Sequence, residues 1–181
     1  MLRTFTYVIL GWLLLALCGG LADVLALTIV LPSTSAVVIA HAAFTGDRKL
    51  VPGLAVAVGL GYLEDLHQGA PIGSLSLAFG VAYLVLHWAA GRLAVRGWTT
   101  RALVSLCALV LVDAIMLVLL FALADSFGIR TEALFNTLPG LRWHALATAL
   151  VGPPVWALFD RTFAVFRLDD RPPPPLHLDP R

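Results

Sequence analysis

Apolar residues run along this chain in membrane-length blocks separated by short polar breaks, and nowhere alternate as strands do. The first block covers residues 4–30, TFTYVILGWLLLALCGGLADVLALTIV, with Gly19-Gly20 as the place where a helix bends most easily. A second, Ser35 to Phe44, is short and follows Pro32, so a tilted, partial or re-entrant segment is expected. A third occupies about 50–66 and a fourth about 72–95. The fifth, Ala102 to Leu123, is the most uniformly apolar, interrupted only by Ser105 and Asp113. The last covers about 143–160 and is expected to kink or break at Gly152-Pro153-Pro154. Between these last two, the polar stretch Asp125 to Arg142 contains Pro139-Gly140 and reads as an external loop. At about 1.5 Å per residue and about 30 Å of hydrocarbon, a span needs roughly 20 residues, which gives room for about six. The expected architecture is an all-α polytopic bundle over residues 1–166, followed by a proline-rich tail, 167–181.

Val51 to Gly73 is the stretch around which the other blocks are expected to be arranged. Gly53, Ala57, Gly61 and Asp65 recur every fourth residue, forming a stripe that drifts by about 40° per step on a helix. Small residues on one stripe let a neighbouring backbone approach closely, as helices do inside lipid. Asp65 therefore faces protein, and the glycine- and proline-rich turn after it reverses the chain at Ile72.

Composition agrees with the pattern: 60% of the 181 residues are hydrophobic and 13% charged, about half the usual charged share of a soluble domain. The chain reads as an integral membrane protein, and a helical bundle satisfies every backbone group within lipid. Met1 to Gly20 resembles a secretory signal in part, but the apolar pattern continues to Leu31, so a retained anchor is expected. Of the 12 Lys and Arg residues, six spans with the N-terminus inside leave only Arg130 and Arg142 outside. Five spans would keep the C-terminus and most basic loops on the same cytoplasmic side. Trp98 and Trp143 then fall near opposite interfaces.

Little in the chain suggests catalysis. Cys18 and Cys107 have no ligand spacing and read as packing residues, and no metal, nucleophile-elbow or phosphate-loop motif is present. A net charge of +1 gives no reason for a nucleic-acid partner. No internal repeat of the kind found in inverted-repeat transporters is visible. Asp113 lies mid-span, where a charge costs about 2.5–3.5 kcal/mol even on the milder scale. With His87 or His41 it forms either a proton relay or, as the physically simpler reading, a set of interhelical hydrogen bonds. Asp23, Glu64, Asp65, Arg142 and His144 are expected at the outer end, with Arg142 neutralising a carboxylate. Glu64 and Asp65 are sequence neighbours about 100° apart on a helix, so general acid–base work is not expected of them. No catalytic, cofactor or metal residue is assigned.

The turn itself carries a resemblance. Gly61-Tyr62-Leu63-Glu64-Asp65-Leu66-His67-Gln68-Gly69-Ala70-Pro71-Ile72-Gly73 resembles the signature turn of the rod shape-determining MreD family, with Gly61, Leu63, Asp65, Gly69, Pro71 and Gly73 matching. Tyr62 and Ile72 replace leucines, and Ser76 stands where alanine is usual. The closing segment Pro154-Val155-Trp156-Ala157-Leu158-Phe159-Asp160-Arg161 resembles the family's ending. The resemblance implies a non-enzymatic component of the bacterial inner membrane, acting in cell elongation. Its expected partners are membrane lipid, MreC and, through it, MreB, RodA and the transpeptidase partner of RodA. The family is also similar in fold to the substrate-binding components of energy-coupling-factor vitamin transporters. That similarity supplies an alternative, a vitamin-binding component with an outward-facing pocket, toward which Ala22-x-x-x-Ala26 points. A third reading, a proton-coupled transporter using Asp113, lacks a second polar span. In the tail, Asp169 to Arg181, four successive prolines favour an extended segment that a cytoplasmic partner can bind at low entropic cost. A solvated tail is the plainer expectation.

Overall fold

The computed structural model describes residues 2–25, 31–45, 49–68, 71–127 and 131–166. They form six helices and no strand: α1 (Leu2–Leu25), α2 (Thr34–Thr45), α3 (Leu50–Gln68), α4 (Ser74–Ala90), α5 (Trp98–Phe127) and α6 (Thr131–Val165). Gly69, the tail 167–181 and the side chains of Ala22 and Asp23 lie outside the described residues.

Among the described residues, two helices contain segments long and apolar enough to cross a membrane, Leu2–Leu21 in α1 and Trp98–Leu123 in α5. Only 11% and 17% of their apolar windows are buried against protein. Leu13 and Leu17 of α1, and Leu103 and Val118 of α5, project outward. A soluble domain rarely leaves such a continuous apolar surface uncovered, so membrane association is the state this surface fits.

The centre of the molecule is α2, not the α3 stretch expected to organise it. Every residue from Thr34 to Ala43 is buried, and α2 touches each of the other helices. Its 12 residues extend only about 18 Å, shorter than the hydrocarbon of a bilayer. A helix enclosed by other helices need not be uniformly apolar to face lipid, and α2 carries Thr34, Ser35, His41 and Thr45 among alanines and valines. Its shortness and its place after Pro32 are what suggest a tilted or partial segment in the sequence. Its small and polar residues are what let the surrounding helices pack closely around it.

Cross-contacts fix the helix directions. Arg3 bonds the Thr45 carbonyl and the Tyr7 hydroxyl meets His41, so α1 and α2 run antiparallel. Ser33 and His41 reach Thr148 and Asp160 in turn, so α2 runs parallel to α6. Arg101 meets Asp160 while Ser105 lies against Gly152, making α5 and α6 an antiparallel pair. Arg3, Thr45, Arg101 and Asp160 thus share one end of the bundle, and the α3–α4 turn lies at the other.

Two expectations about the last third of the chain are corrected. The described residues between Asp125 and Arg142 are helical and not an open loop: α5 continues to Phe127 and α6 starts at Thr131, taking Pro139-Gly140 into its helix. Of the kink or break expected at Gly152-Pro153-Pro154, the break does not occur, since α6 passes through them without interruption. Each proline removes one backbone donor. The buried side chains of Val155, Trp156 and Phe159 anchor the turn that follows, and tertiary packing outweighs the lost bonds. Gly152 has a separate role: a Cβ there would lie 2.5 Å from the Ser105 Oγ.

Candidate functional site

At one end of the bundle the Asp65 carboxylate is enclosed by the start of α4. Oδ2 accepts from the N–H of Gly73 at 2.9 Å and of Ser76 at 3.3 Å, and Oδ1 from the N–H of Leu75 at 3.0 Å. The hydroxyls of Ser74 and Ser76 add longer bonds. Asp65 is 1% exposed, yet its charge faces the unpaired amides and positive dipole end of α4. It replaces the usual side-chain cap, which Gly73 cannot supply; Gly73 itself takes a left-handed φ of 95° to let the chain turn. Pro71 accepts from both the N–H and the hydroxyl of Ser74.

Gly61 makes this approach possible, since a Cβ there would stand 2.6 Å from the Leu75 carbonyl oxygen. The rest of the stripe has the same character. Ala57 is fully buried, and the Tyr83 hydroxyl occupies the space where a side chain at Gly53 would begin. Gly61, Asp65, Pro71 and Gly73 therefore act together to lock α3 onto α4, and no face of the Asp65 carboxylate is left open for chemistry.

A second polar group lies at the opposite end. His41, fully buried on α2, has Nε2 3.0 Å from Asp160 Oδ1 and Nδ1 2.9 Å from the Tyr7 hydroxyl. A carboxylate only accepts, so Nε2 carries the hydrogen, and in the neutral ring Nδ1 accepts from Tyr7. Asp160 Oδ2 then accepts from Arg101 at 2.7 Å. Rings enclose the histidine: Trp156 stands edge-on with centroids 5.0 Å apart, while Phe159 and Phe163 pack against both His41 and Tyr7. The group ties α1, α2, α5 and α6 together. Beside it lies a cavity of about 420 Å³ whose lining includes Arg3, Arg96, Arg101, Trp156, Asp160 and Phe163.

The structure does not bring Asp113 together with His41 or His87, although His41 does make the interhelical hydrogen bonds of the simpler reading. His41 pairs with Asp160 instead of Asp113, because its ring points from the buried face of α2 toward α6. His87 is half-buried and stacks on Tyr83, with centroids 5.7 Å apart. Asp113 is half-buried, within electrostatic reach of His144 across the α5–α6 pair. Of the residues expected together at the outer end, Glu64, Asp65, Arg142 and His144 do lie at the end opposite Arg3, but each has its own surroundings. His144 bonds the Leu31 carbonyl just ahead of α2, and Thr148 accepts from the Ser33 N–H, so both support the start of the central helix. Glu64 is buried on α3. Arg142 neutralises no carboxylate among the described residues; its guanidinium lies 5.8 Å from the Trp143 ring. Cys107 is exposed on the surface of α5 and is not a packing residue, whereas Cys18 is half-buried.

Arg3, Tyr7, Arg101 and Asp160 are functional candidates that sequence reasoning missed. One signal was available: Arg101 opens the fifth apolar block and Asp160 closes the sixth, so an antiparallel pair brings them to one level. No known protein family matches the chain, and neither a characterised protein nor a solved structure matches it significantly.

Proposed function

We propose that this chain is a non-enzymatic adaptor of the bacterial inner membrane, of the MreD kind. It crosses the membrane several times with a cytoplasmic C-terminus, binds the periplasmic protein MreC and helps to organise lateral peptidoglycan synthesis by the elongation machinery. The observation that supports this reading is the use of the signature turn. Its described residues Gly61, Asp65, Pro71 and Gly73 are engaged in building one rigid corner, with the Asp65 charge satisfied by backbone amides. A motif used in this way shapes a surface; it does not hold a substrate. Tyr62, Leu66 and Ile72 project from the corner, and such apolar side chains suit a partner helix inside lipid.

The vitamin-binding alternative calls for a pocket at the outer end. That reading is decided by whether a vitamin is recovered with the chain. Placing a photo-crosslinking residue at Ile72, and separately at Leu103 on α5, tests the proposal in cells. Crosslinking of a single-span periplasmic protein from position 72 but not from 103 is the expected result. Equal labelling from both positions, or recovery of the purified chain with a tightly bound vitamin, would overturn it.

A further inference from the structure

We propose that the cavity at the arginine-rich end of the bundle is a binding site for a phosphate group, such as the headgroup of an anionic phospholipid. Three arginines contribute to its lining, Arg3, Arg96 and Arg101, against a single carboxylate, Asp160. That carboxylate is already engaged by His41 and Arg101 and has little capacity left to neutralise the other two. Arg3 gives one Nη2 hydrogen to the neutral Thr45 carbonyl and rests over the Phe163 ring, 5.0 Å from its centroid. Among the described residues no carboxylate lies within ion-pair distance of Arg3 or Arg96. The Nε of Arg3 and the Nε of Arg101 are both buried without an acceptor among the described residues. Buried guanidinium donors ordinarily find acceptors, and the anionic oxygens of a phosphate group supply several at once in the forked geometry that arginine prefers.

The shape of the site adds to its charge. A cavity of about 420 Å³ is far larger than one water and accommodates a phosphate with part of a glycerol unit. Val95, Trp156, Phe163 and Ala164 give it an apolar side next to the cationic one. It is enclosed by residues from the first turn of α1, the last turns of α2 and α6, and the segment joining α4 to α5. In a bundle embedded in a bilayer, helix ends of this kind lie level with the headgroups, where basic pockets between helices take anionic lipids. The inference is independent of which protein partner the bundle engages.

Native mass spectrometry of the full chain in mild detergent tests it, with phosphatidylglycerol, phosphatidylcholine and glycerol phosphate as probes. One phosphatidylglycerol per chain should be retained in preference to phosphatidylcholine. Binding should fall about fivefold for each arginine neutralised in Arg3→Gln and Arg96→Gln. Arg96 is exposed and its side chain makes no hydrogen bond or ion pair among the described residues, while its carbonyl accepts from the Thr100 hydroxyl through backbone that a substitution keeps, so Arg96→Glu leaves folding intact and serves if the Arg3 variant does not fold. Phosphatidylglycerol binding without glycerol phosphate binding identifies the lipid as the source. Binding of both identifies a soluble phosphate as sufficient. Equal retention of the two lipids with no glycerol phosphate bound, or affinity unchanged in Arg96→Glu, would overturn the proposal.

Discussion

His41 on α2 meets Asp160 on α6 at 3.0 Å, joining the last turns of the central helix to those of the longest one. The contact matters because the imidazole is fully buried while the carboxylate is 36% exposed and shared with Arg101. Removing Asp160 would leave a buried ring N–H and a half-buried guanidinium without their acceptor. Asp160→Ala should therefore lower stability by about 1–3 kcal/mol, less than for a wholly enclosed pair because water reaches this carboxylate. Thermal unfolding in detergent measures the loss. Adding Arg101→Leu to that variant should recover part of it, since the unpaired cation is then gone. A melting temperature equal to that of the parent would show that the pair contributes nothing.

Asp65 is held differently, by three backbone amides instead of by a side-chain cation. Asparagine at this position keeps one acceptor oxygen and turns an NH2 group toward donors. Asp65→Asn should cost about 2–3 kcal/mol, more than an exposed helix cap, because the amides it abandons are enclosed. Hydrogen exchange at Leu75 and Ser76 should accelerate in the variant while exchange within α5 stays as it was. Uniform acceleration across the chain would mean that the turn has no local role.

Much of this arrangement was legible in the sequence, and what was not has a common cause. Apolar blocks long enough to face lipid announced α1 and α5, and the every-fourth-residue spacing of Gly53, Ala57 and Gly61 announced the α3–α4 contact. By contrast α2 is hidden by its position: a helix wrapped in protein needs neither the length nor the hydropathy of one wrapped in lipid. The partner of His41 was unreadable because Asp160 lies 119 residues away and no local pattern links the two. Polarity misled at Asp125 to Arg142, where charged and glycine-containing sequence suggested a loop although a helix extending beyond the apolar belt is equally free to be polar.

Asp113 offers a sharp contrast with Asp160. Its Oδ2 is buried with no hydrogen-bond partner among the described residues, so its carboxylate is desolvated with incomplete compensation. Asp113→Asn removes the charge and keeps the volume, and stability should stay unchanged or rise by up to about 1 kcal/mol. Chemical denaturation in detergent reads the sign. A proton relay through Asp113 predicts the reverse of a silent change: proton-coupled uptake into vesicles present in the parent and absent in the variant.

Two glycines in α3, two residues apart in the sequence, should respond in opposite directions to one added methyl group. At Gly61 a Cβ would meet the Leu75 carbonyl oxygen and the Ser76 Cα at 2.6 Å and the Ser76 nitrogen at 2.7 Å, all of them backbone atoms that cannot swing aside. Gly61→Ala must therefore separate α3 from α4 and disturb the amides that enclose Asp65, at a cost of about 1–3 kcal/mol. At Gly59 nothing lies within 4 Å of the same atom. There alanine only restricts the unfolded chain and favours the helix, a gain of about 0.5–1 kcal/mol. Melting temperatures of the two variants, measured side by side, should bracket that of the parent. If both fall equally, close backbone packing at Gly61 is not what the small-residue stripe provides.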